Sequence, residues 1–169
     1  MVNYKPVQIV DAKDKPIGAA SFNEVWQKNL YHRISRVMLE NSHGQILLQK
    51  RSSDKLSYPD CWDNSAAGYV DENESYAEAA RRELSEELGI KHLKLREIGY
   101  YYAESFDGQH HFKRFNRVYR GFTDQKPTKL QASELSEVRW YGVDEIKNLI
   151  KQQPATVSDG LVQVMERYY

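Results

Sequence analysis

Between Gly68 and Ile90 the chain carries a fixed spacing of special residues: Gly68, Glu74, Arg82-Glu83-Leu84, Glu86-Glu87 and Gly89-Ile90. The stretch inside it is bounded as a helix by its own chemistry. Ser75-Tyr76-Ala77-Glu78 fits a capping box, in which the serine hydroxyl accepts from the amide of Glu78 and the Glu78 carboxylate answers back. Ala77, Ala80, Leu84 and Leu88 recur at helical spacing as a buried stripe. Gly89 stands where a left-handed cap ends a helix. On that helix, Ser75 to Leu88, the residues Glu83, Glu86 and Glu87 are related as i, i+3 and i+4 and share one face. The face borders the apolar stripe, which puts the carboxylates at the margin of a cleft, with Ala79 leaving room for a bulky ligand. Arg82 lies to one side, where it can pair with Glu74 and hold the preceding loop to the helix. Three crowded like charges destabilise one another unless something cationic sits among them, and hard carboxylate oxygens suit Mg²⁺ or Mn²⁺. The other reading of such a face, a solvated acidic surface bridged to lysines, leaves Gly68, Glu74 and Arg82 without a purpose.

The rest of the chain reads as strands and helices in mixed order. Val7 to Val10 reads as a short strand, followed by a polar turn through Pro16 and an apolar run from Ile17 to Phe22. Arg33 to Glu40 and Gln45 to Arg51 flank the turn former Asn41-Ser42-His43-Gly44, as in a β-hairpin. Asn64 to Val70 suggests a strand running into a loop. Leu93 to Ala103 and His111 to Phe122 read as long strands around a turn at Phe106-Asp107-Gly108-Gln109, and Glu137 to Tyr141 as a short one. Helices near Asp144 to Gln152 and Ser158 to Tyr168 close the chain. This order predicts an α/β fold, an α/β/α sandwich around a mixed β-sheet. At 169 residues the expectation is one domain over 1–169.

Lys plus Arg and Asp plus Glu each number 24, so no global field draws in nucleic acid or an anionic membrane. The lone Cys61 supports neither a disulfide framework nor a cysteine zinc site. No export signal or bilayer-length apolar run is visible, so a cytoplasmic protein is expected.

The Gly68–Ile90 pattern resembles the Nudix box at every specified position. The resemblance implies the Nudix fold and hydrolysis of a nucleoside diphosphate linked to another moiety. Glu83, Glu86 and Glu87 would then ligate Mg²⁺ or Mn²⁺, and one carboxylate would help to activate water. Family members often take a general base from a later loop, which makes Glu134 and Glu137 candidates, each also readable as a surface charge. Gly68, Glu74, Arg82 and Gly89 would be the structural positions of the motif.

A second resemblance covers Gln8 to Trp62 and is to the Nudix-fold isopentenyl diphosphate isomerases. It rests on a Val-Asp turn, His32-Arg33, Leu47-Leu48-Gln49-Lys50-Arg51, Lys55, Pro59, Trp62 and Asn64-Ser65. It implies that Arg51 and Lys55 bind the substrate diphosphate, which suits a guanidinium fork beside a point charge. The isomerase chemistry itself is missing. Ala67 occupies the position of the catalytic cysteine, Tyr69 and Val25 those of two metal-binding histidines, and Lys113 and Phe115 align with acidic residues. His32 alone remains, and a single imidazole reads better as a packed strand residue than as a ligand.

Three readings follow: a metal-dependent hydrolase of a small diphosphate, an isomerase disfavoured by Ala67 and Tyr69, and a module that binds a nucleotide metabolite without cleaving it. Two weaker signals accompany them. Lys113, Arg114, Arg117 and Arg120 form a cationic strand that could receive phosphate or contact RNA, or could simply guard a sheet edge. Tyr100-Tyr101-Tyr102 with Tyr119 could form a stacking wall.

Overall fold

The structure is a computed structural model that describes residues 5–108, 110–127 and 129–169. The elements run β1 (Val7–Val10), β2 (Pro16–Ala20), α1 (Phe22–Lys28), β3 (Tyr31–Glu40), β4 (Gln45–Arg51), β5 (Trp62–Asp63), β6 (Ala66–Tyr69), α2 (Tyr76–Leu88), β7 (Leu95–Asp107), β8 (His110–Phe122), β9 (Leu135–Gly142), α3 (Val143–Gln152) and α4 (Asp159–Tyr168). The expected sandwich around a mixed sheet is what forms. Alternation along each strand sends side chains to opposite faces. Val37, Leu39 and Leu47 pack with Ala80, Leu84 and Leu88 of α2. Met38, Ile46 and Leu48 pack on the other face with Ile146, Leu161 and Met165 of α3 and α4. Among the described residues no helix is long and apolar enough to cross a membrane.

Two details differ from the sequence reading. The expected β3–β4 hairpin pairs only at Leu39↔Leu47 and Glu40↔Ile46. The strands then splay, with β6 taking the edge of β3 antiparallel over Ile34↔Tyr69 to Val37↔Ala66 and β4 turning to β5 and β9. Ser65 holds the fork, its hydroxyl accepting from Leu39 N at 2.8 Å and donating to the Leu47 carbonyl. Helix α1 was also not expected, although Ser21 and Glu24 form a capping box at its start and Asn29, at φ 51, ends it. Of the expected turn Phe106-Asp107-Gly108-Gln109, Phe106 and Asp107 still pair in β7 with His111 and His110, Gly108 stands in the turn, and Gln109 lies outside the described residues.

β3 also pairs with β1 at Ile9↔His32 and with β8, parallel over Tyr31↔Lys113 to Glu40↔Phe122. This register places Arg114 and Asn116 on the face of His32 and Tyr69, one place along from the aligned Lys113 and Phe115. Neither is acidic, so the isomerase ligands are still missing. His32 is buried, its Nδ1 2.8 Å from the Leu30 carbonyl and its ring stacked on Tyr69.

Burial lowers the His32 pKa to about 4. The unfolded chain takes up this proton near 6.5 and the folded chain only near 4, so His32 withdraws stability as pH falls through that window. Urea unfolding of the wild type should lose about 2 kcal/mol more between pH 7 and pH 5 than that of His32→Leu. Equal losses would contradict the buried neutral imidazole.

Candidate active site

Helix α2 is fixed at both ends. Ser75 Oγ accepts from Glu78 N at 3.2 Å, and Glu78 accepts from Ser75 N at 2.8 Å. Gly89 closes the helix at φ 66. Arg82 ties the preceding loop to it, donating to Glu74 at 2.9 and 3.0 Å and to the Tyr69 carbonyl at 2.8 Å. The pairing of Arg82 with Glu74 read from the sequence is therefore present, and Arg82 also reaches Glu83 at 2.6 Å and Glu86 at 3.3 Å.

The three glutamates are not equivalent. Glu86 is half exposed, at 53% for its side chain, whereas Glu83 keeps 13%. Glu87 retains 4% and so lies deeper than a cleft margin. Its carboxylate enters the fork between β4 and β6, where one oxygen accepts from Gln49 Nε2 at 3.1 Å and from the Ala67 amide at 3.3 Å. Gly68 lets Glu83 come down onto β6, because a Cβ at that position would overlap the Glu83 carboxylate. Ala79 is wholly buried in the core beneath α2, so it makes room for the sheet and not for a ligand.

Glu134 reaches the same place from the loop before β9. Gln131 N donates to the Glu87 carbonyl at 3.1 Å, and Glu134 N donates to the Gln131 carbonyl at 2.8 Å. The loop thus hangs on the end of α2. Burial raises the Glu83 pKa to about 7, with Glu86 and Glu134 adding to the rise against the opposing Arg82. Burial also raises Glu87 well above the usual carboxylate range, reinforced by Glu83 and Glu134. Glu137 instead pairs with Arg139 on an exposed stretch of β9.

Lys55 and Arg51 part company. Lys55 Nζ meets Glu134 at 2.6 Å, at the rim of the acidic site. Arg51 is turned inward to Asp63 at 3.1 Å and to the Ser57 carbonyl at 3.1 Å, where it braces the loop that carries Lys55. The strand cations are also engaged, Arg114 with Asp159, Arg117 with Glu97 and Arg120 with Glu40, while Lys113 Nζ lies over the Tyr31 ring at 4.9 Å. The tyrosines form no single wall, since Tyr101 belongs to the core under α4 while Tyr119 belongs to the one under α2.

Among the described residues no three acidic, His or Cys side chains converge as a ready-made metal centre; Arg82 draws Glu83 and Glu86 toward itself. The donor set nevertheless suits a hard divalent cation, because Glu83 and Glu87 are buried carboxylates whose charged form is disfavoured until positive charge reaches them. Sequence reading missed Gln49 and the Ala67 amide. Gln49 could have been found as the polar residue ending the apolar run Ile46-Leu47-Leu48; a backbone amide carries no sequence signal.

Gly68→Ala should cost about 1–3 kcal/mol in urea unfolding through overpacking, and adding Glu83→Ala should recover most of it. Equal stability of Gly68→Ala and wild type would contradict the contact.

The NUDIX domain family model matches residues 30–161. An uncharacterized Nudix hydrolase of Pseudomonas aeruginosa is 38% identical over 131 residues, 78% of this chain and 75% of the relative. An isopentenyl-diphosphate Delta-isomerase 2 of Aromatoleum aromaticum is 27% identical over 161 residues, 95% of this chain and 85% of the relative. A crystal structure of a Deinococcus radiodurans protein superposes with a TM-score of 0.81 at 25% identity, covering 98% of this chain and 99% of the other. The chain therefore belongs to the Nudix hydrolase family, in a branch akin to the isopentenyl diphosphate isomerases.

Proposed function

We propose that this protein hydrolyses the diphosphate linkage of a small nucleoside diphosphate derivative with the help of Mg²⁺ or Mn²⁺. The observation that carries this reading is the burial of Glu83 and Glu87 on one helix face above the fork in the sheet, both pushed toward protonation, with the charge of Glu134 near enough to add to the rise of each. Glu83, Glu86 and Glu87 would hold the cation. When bound, it supplies positive charge that neutralises the diphosphate oxygens and the leaving phosphate.

The chain's own residues account for the remaining work. Lys55, at the rim, exchanges Glu134 for a substrate phosphate, and Arg51 keeps its loop in place. Glu134 accepts a proton from the attacking water as its oxygen bonds to phosphorus, and the bridging P–O bond breaks toward the departing phosphate. Arg82 orients Glu83 and Glu86 without touching the substrate.

Isomerisation has no support at this site, because Ala67 offers no proton-carrying group and the Tyr69 hydroxyl is occupied by Trp26 Nε1 at 3.0 Å. A fold alone does not separate a hydrolase from a binding module, so turnover must decide.

A panel of nucleotide sugars, ADP-ribose, dinucleoside polyphosphates and nucleoside diphosphates with Mg²⁺ should yield a monophosphate from at least one member. Glu86→Gln should slow that turnover, and Glu134→Gln should lower kcat about a hundredfold or more. Tight binding without cleavage would instead establish the binding module. Conversion of isopentenyl diphosphate to its allylic isomer would restore the isomerase.

A further inference from the structure

Gln49 sits on β4 on the same face as Leu47, beneath the last turn of α2, and is 2% exposed. A leucine there would extend the apolar contact already made by Leu47 and Leu84. Burying an amide at such a place costs free energy unless both of its ends are satisfied. One end is: Nε2 donates to Glu87 Oε2 at 3.1 Å. The other is not, because the buried Oε1 meets no hydrogen-bond partner among the described residues. The orphaned oxygen therefore stands one amide's width from the deepest of the acidic side chains. Glu87 and Glu83 are both carboxylates and bring no donor of their own when ionised. What is common to an amide oxygen and two carboxylates is affinity for a hard cation, since amide carbonyls and carboxylates serve together as oxygen ligands.

We infer that Gln49 is part of the divalent-cation site. Its Nε2 fixes the rotamer of Glu87, and its Oε1 contributes a neutral oxygen to the cation's ligand shell. The inference rests on the reading that Glu83, Glu86 and Glu87 hold a cation. It also explains the polar break in the core strand, and it gives the splayed fork between β4 and β6 a use on both arms: a side chain from β4 and the Ala67 amide from β6 meet on one carboxylate.

The test is Mn²⁺ binding to the metal-free full chain without substrate, followed by the electron paramagnetic resonance signal of free Mn²⁺. Wild type should bind. Gln49→Met, close in volume but without the amide, should raise the Kd about tenfold or more. Gln49→Glu, which keeps an oxygen at the same reach, should bind Mn²⁺ at least as tightly as wild type, because a cation shared by the two carboxylates takes over from the lost Nε2 donor in holding Glu87. A purely structural amide would make both variants equally poor or leave both unchanged, and either result overturns the inference. If Gln49→Met does not fold, as judged by near-ultraviolet circular dichroism, Gln49→Glu decides alone: weaker binding than wild type overturns the role. Absence of Mn²⁺ binding by wild type would sink the cation reading and this inference together, whereas unchanged binding by Gln49→Met removes Gln49 only.

Discussion

The fork between β3 and β4 is the constraint on which the rest depends. Two strands that begin as a hairpin separate after Leu39↔Leu47, and Ser65 satisfies a backbone group on each arm at the point of separation. Separated strands leave polar backbone facing inward, and an interior polar group must find a partner. Glu87 supplies one for the Ala67 amide, and that is why a carboxylate can be buried under α2 where an aliphatic residue would otherwise pack. The acidic site is thus built into the way the sheet divides, and Arg82 and Gly68 set how far Glu83 follows Glu87 into it.

The similarity to isomerases takes a different meaning from this. The likeness spans 161 residues of the chain, and within this chain Ser65 and Arg51 brace the fork and the loop beside it. On the opposite face of the sheet His32 is kept without its partners, and it stacks on Tyr69, which Trp26 holds by its hydroxyl, while Asn116 bonds to Arg36 and to the Arg114 carbonyl. The α2 side, with Glu83, Glu86 and Glu87, keeps every element of the box. One sheet carries both faces, and the motif lies on the α2 face.

Much of this was legible in the chain itself. The capping box at Ser75, the stop at Gly89 and the pairing of Arg82 with Glu74 follow from local rules, and local rules operate over a few residues. The unequal burial of the three glutamates was not legible, because it depends on where β4 and β6 pass beneath α2, a long-range matter. Arg51 and Lys55 look alike in sequence yet part in the structure, since Asp63 is near one and Glu134 near the other only after folding. Ala79 misled for the same reason: a small residue can make room for a ligand or for a sheet, and helical spacing does not distinguish them.

The most direct measurement of the central claim is thermal unfolding of the metal-free protein with and without saturating Mg²⁺. A cation that binds the folded chain alone, at a hundred times its Kd, adds about 2.7 kcal/mol, which for a domain of this size raises the midpoint by several degrees. The expected result is such a rise in the wild type and its loss when Glu83 and Glu87 are both replaced by Gln. The same midpoint in Mg²⁺ and in chelator would contradict a cation site at the fork.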